Sequence, residues 1–124
     1  GPMSDEFRRA LTERRDLIET RADALLDTAL TEGQTWTKAL GTLPNDAKTA
    51  ASWRRLARTV AAYRDRYGIT DNTPFGTPSE NDTQKIDAAR ARAALDRARN
   101  LADAEQQGRE PAGRTGSTRI GPTL

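Results

Sequence analysis

Apolar residues recur along three stretches of this chain at the steps of three, four and seven that place them on one side of a helix. Phe7, Leu11, Ile18, Ala22, Leu25 and Ala29 form the first stripe, with Leu26 and Leu30 widening it. Ser4 is an N-cap candidate, Asp5 and Glu6 put negative charge at the positive end of the helix dipole, and Gly33 offers a left-handed stop. These signals predict a helix from Ser4 to Glu32. A short turn, Trp36 to Leu40, follows between Gly33 and Gly41, and Leu43-Pro44 halts the chain. The second stripe is Trp53, Leu56, Val60 and Tyr67 with Ala57 and Ala61 filling the seam; Asn45 is its expected cap, and Gly68 with Ile69 folding back its Schellman stop.

Thr70 to Asn81 carries two prolines, a glycine and several short polar side chains, which reads as a loop anchored by Phe75. Ser79 or Asp82 then opens a third helix to about Gln107, with Ile86, Ala91, Ala94, Leu95, Ala98, Leu101 and Ala102 on its face and Gly108 as its stop. Strand-like alternation of apolar and polar residues is absent over any useful length. The expectation is an all-α fold: three long helices in an up-down-up bundle over residues 4–107, one short extra helix, and a flexible, Gly-, Pro- and Arg-rich tail over 108–124. Phe7, Leu11, Ile18, Leu25, Trp53, Leu56, Val60, Tyr67 and Leu95 are the expected core. Gly1 and Pro2 ahead of Met3 read as the scar of a cleaved tag and stand outside the fold argument.

Composition narrows the chemistry. Among 124 residues there is no cysteine and no histidine. Disulfides, thiolate nucleophiles, sulfur-bound zinc and the commonest general base are thereby excluded, so neither a catalytic residue, a metal ligand set nor a cofactor is expected. A phosphate loop of the form GxxxxGK[ST] is also missing. No run approaches the roughly 20 apolar residues of a membrane span, and no apolar signal core opens the chain, so a cytoplasmic protein without membrane contact is expected. Hydrophobic residues make up 35% and aromatics 5% of the chain, so the core should be thin and rich in alanine. Each methylene that alanine lacks forgoes about 0.8 kcal/mol of burial, and stability should be modest.

Charge is unevenly spread although the net value is only +2. The first helix holds eight acids and five bases, the second two and six, and the third five of each. Lys48, Arg54, Arg55 and Arg58 form a candidate contact patch for nucleic acid or a partner, to which Arg109, Arg114 and Arg119 of the tail would add. The alternative, and the favoured reading, is that the basic helix pairs with the acidic first helix. Tyr63 and Tyr67 raise the idea of a tyrosine nucleophile, but no metal-binding set accompanies them. Glu13, Asp16 and Glu19 stand within ion-pairing distance in sequence of Arg9, Arg14, Arg15 and Arg21, the spacing of helix-surface pairs.

Three segments carry a family resemblance: ERRDLIETRADALL (Glu13 to Leu26), TVAAYRDRYGI (Thr59 to Ile69) with Trp53 before it and TPFG after it, and AARARAALDRAR (Ala88 to Arg99). In this order they resemble the carboxy-terminal helical region of actinobacterial MobF-type conjugative relaxase-helicases. Those proteins nick plasmid DNA with amino-terminal tyrosines beside a histidine-bound metal, unwind it, and travel through a type IV secretion channel. None of the nicking or helicase residues maps onto this chain. The resemblance therefore implies a non-catalytic accessory module, recruiting the coupling protein, relaxosome or secretion system by protein contact. Its rivals are a DNA-binding accessory domain using the middle helix and tail, a dimerisation domain pairing through the alanine-rich third helix, and a passive spacer; a monomer is favoured.

Overall fold

The computed structural model describes residues 4–108; the first three residues and residues 109–124 of the expected tail, with Arg109, Arg114 and Arg119, lie outside it, whereas Gly108, expected to begin that tail, is the last residue of α3. The described chain is all-α. It folds as α1 (Asp5–Glu32), a short 3₁₀ helix (Thr35–Leu40), α2 (Ala47–Arg66) and α3 (Asp82–Gly108). Ser4 caps α1 by accepting from the Phe7 amide at 3.1 Å, and Gly33 ends it in the left-handed region at φ 65°. The cap of α2 is one residue later than expected. Asp46, not Asn45, accepts from the Thr49 amide and hydroxyl, and the amides of Asn45 and Asp46 are both held by the Glu105 carboxylate of α3 at 2.7 and 2.9 Å. At the far end Gly68 takes φ 62° and the Ile69 amide reaches back to the Arg64 carbonyl, a Schellman stop. The opening of α3 falls to neither Ser79 nor Asp82: Asn81 Oδ1 accepts from the Gln84 amide.

Side-chain links run in reverse order along both long interfaces. Arg21 of α1 meets Asp65 near the end of α2, while Asp27 meets Arg54 near its start. Arg66 meets Asp87 and Asn45 meets Glu105 in the same manner between α2 and α3. α2 is thus antiparallel to each neighbour and forms the middle of the fold. Its Trp53, Leu56, Ala57, Val60 and Ala61 are buried, faced by Leu26 and Ala29 of α1, Trp36 and Leu40 of the 3₁₀ helix, and Ala91, Ala94, Ala98 and Ala102 of α3. Tyr67 and Leu95 are half-buried against this core. Trp53 also donates its indole N–H to the Leu40 carbonyl at 3.0 Å, which satisfies a buried polar group while fastening the 3₁₀ helix to α2. Gly41 closes that connection: at φ 77°, a Cβ there would lie 2.8 Å from the Ala102 Cβ, so only glycine lets the chain pass α3.

The expected core of α1 needs correction. Phe7, Leu11 and Ile18 are 53%, 45% and 54% exposed, and Leu25 is 37% exposed. Every residue from Asp5 to Arg21 is exposed, and burial falls instead on Ala22, Leu26 and Ala29. The reason lies in the register. Arg21 already stands opposite Asp65, one residue from the end of α2, so the preceding half of α1 has little helix left to pack on.

Candidate protein-binding groove

Of the four α2 residues in the expected cationic patch, two face acids of α1. Arg54 is bound to Asp23 and Asp27 of α1 at 2.9 and 2.7 Å, and Arg58 lies 3.7 Å from Asp23. Their charges are spent on joining α1 to α2, in accord with the helix-pairing alternative. Lys48 and Arg55 are exposed on α2.

Arg64, near the end of α2, is the one arginine buried among the described residues, at 8% exposure. It stacks over the Trp36 ring at 4.8 Å and donates to the carbonyls of Asp71, Thr73 and Pro74. Burial lowers its pKa from the ordinary arginine value, offset in part by Asp71. The signal was present in the helix period, since Arg64 continues the buried seam of Trp53, Ala57 and Val60 at steps of four, three and four. Its hydrogen bonds order the 70–76 loop, which delivers Phe75 into the core edge-on to Tyr63.

The two tyrosines are structural in their contacts. Their rings pack 4.9 Å apart; Tyr63 accepts from Gln84, and Tyr67 donates to Asp87 at 2.5 Å. The hydrogen bond to Asp87, together with partial burial, raises the Tyr67 pKa above its ordinary value, the opposite of what an activated phenolate requires. No group of three or more Asp or Glu side chains suited to a metal ion exists among the described residues, Glu13, Asp16 and Glu19 included.

Beside these tyrosines, residues of α1, α2 and α3 line an open groove of about 630 Å³. Small residues from the three helices, Ala22, Ala62 and Ala91, form its floor with the tyrosine rings. Ile18 projects into it from α1, half-exposed. Arginines rim it: Arg21 is paired with Asp65 and Arg66 with Asp87, whereas Arg14 and Arg90 make no ion pair among the described residues. Leu11 and Phe7 stand one and two steps further out along the same side of α1, extending the apolar track past the end of α2. Sequence periodicity identified these side chains as apolar-face residues but assigned them to the interior.

Comparison with protein-family models, with curated proteins and with solved structures finds no match to this chain. No helix among the described residues is long and apolar enough to cross a membrane.

Proposed function

We propose that this chain is a non-catalytic interaction module that recruits a protein of a conjugative DNA-transfer apparatus in the cytoplasm. The observation that supports a protein-binding role is the unburied apolar track Phe7–Leu11–Ile18 running into a groove floored by three helices. A solvent-exposed stripe of this kind, continuous with a concave apolar surface, is the form of a site for another protein. The conjugative setting comes from the relaxase resemblance of the three sequence segments; the coupling protein, a relaxosome component or the secretion channel are the partners it suggests. The nucleic-acid reading is the weaker one, because Arg54 and Arg58 are engaged by Asp23 and Asp27.

The test is capture from donor cells with the full chain as bait, alongside a F7S/L11S/I18S variant. Since all three side chains are exposed, the variant should keep its helical circular-dichroism spectrum and melting temperature while losing the transfer-apparatus protein that the parent retains. Capture of no such protein, combined with salt-dependent binding of duplex or single-stranded origin DNA, would replace recruitment with a DNA-binding role.

A further inference from the structure

The groove between α1 and α3 has the shape of a missing helix position. α1 and α3 each pack on α2, and the space between their open ends is floored by Ala22, Ala62 and Ala91, side chains short enough for a fourth backbone to approach at the 8–10 Å typical of packed helices. From Phe7 to Ala22 the wall of α1 extends roughly 22 Å at 1.5 Å per residue, or about four turns. A helix laid there would complete a four-helix bundle, covering Ile18, Leu11 and the tyrosine rings together.

The charge of that helix is set by the rim. Four arginines and two aspartates border the groove, and both aspartates are already held, Asp65 by Arg21 and Asp87 by Arg66 and Tyr67. What remains unanswered is the positive charge of Arg14 on one wall and Arg90 on the other. We infer that the groove receives an amphipathic helix of another protein whose flanks carry Asp and Glu, apolar face down, with carboxylates reaching Arg14 and Arg90. The chain's own segments suit it less well. Residues 109–124 hold Arg109, Arg114 and Arg119 against the single acid Glu110, and the overhang of α1 over 5–15 has four bases and three acids. The alanine seam of α3, Ala91, Ala94, Ala98 and Ala102, is already used in the core, which argues against that seam as a dimer contact.

This inference rests on the interaction-module reading and specifies the partner's chemistry. Its test uses two designed peptides of about 20 residues, long enough to form helix in contact with a surface, with leucine at a repeating three-four spacing and either glutamate or lysine on the flanks. Fluorescence anisotropy against the full chain should show the glutamate peptide binding at least tenfold more tightly than the lysine peptide, a difference of about 1.4 kcal/mol. R14E/R90E, two exposed positions outside every ion pair among the described residues, should reverse that order without changing the melting temperature. Equal binding of both peptides, an unchanged preference in R14E/R90E, or a dimer of the chain in sedimentation that I18E dissolves would each overturn it. Retention of a cellular partner by R14E/R90E but not by F7S/L11S/I18S would sink the acidic-helix assignment while leaving recruitment standing.

Discussion

Arg64 carries more of the fold than its charge suggests. A guanidinium presents its donors in a rigid planar fork, and here that fork collects three carbonyls from a loop that has no secondary structure of its own. The opposite face covers Trp36, so one side chain connects α2, the 3₁₀ helix and the 70–76 loop. Hydrogen bonds from a charged donor contribute about 1.5–3 kcal/mol, and removing the donor takes the partner from three part-buried carbonyls. Arg64→Ala should therefore lower unfolding free energy by about 2–4 kcal/mol in urea titrations. Arg64→Lys should recover less than half of that loss, because an ammonium reaches fewer of the three acceptors and does not stack. A lysine variant as stable as the parent would mean that charge, and not the fork, holds the loop.

At the scale of elements, α1 is two structures in one helix. From Ala22 onward it is fixed by burial of Ala22, Leu26 and Ala29; before that no residue from Asp5 to Arg21 is buried, and the Ser4 cap, the Arg8–Asp5 pair and the Arg21–Asp65 pair are exposed interactions. Leu26→Ala should cost about 2–5 kcal/mol, as for other fully buried leucines, whereas Phe7→Ala and Leu11→Ala should stay within about 0.5 kcal/mol. Hydrogen exchange should follow the same division, with amides of the amino-terminal half exchanging well before those beyond Ala22. Protection of Leu11 equal to that of Leu26 would contradict it. The helices themselves were legible in the sequence, down to the Ser4 cap, the Gly33 stop and the Schellman fold-back of Ile69, because local chemistry decides those features. The core of α2 was legible as well, since a central helix buries its whole stripe. The core of α1 was not: period reveals which side is apolar, but where a neighbouring helix ends depends on register, which only the assembled pairs Arg21–Asp65 and Arg54–Asp27 determine. The groove was hidden for the same reason, its lining scattered from Arg14 to Ala91.

Across the whole molecule, carboxylates hold the helices in register, and this gives stability a definite pH dependence. Asp65 has its pKa lowered chiefly by its hydrogen bond to Arg21, and Asp46 has its own lowered chiefly by the Thr49 amide and hydroxyl it caps. In the unfolded chain both return to about 3.9. As pH falls through that value the unfolded state takes up protons before the folded state does, so the contribution is present above about pH 4 and drains away below it. The melting temperature should accordingly be level through neutral pH and fall once pH drops below about 4. D65N and D46N should each melt lower than the parent at pH 7, and together they should show a shallower acid decline, because the groups whose protonation drives it are gone. Both sites are exposed enough that added salt should weaken the Arg21–Asp65 share, while the Asp46 share, resting on short-range hydrogen bonds to Thr49, should persist. An acid decline of unchanged steepness in D46N/D65N would overturn the assignment of that decline to Asp46 and Asp65.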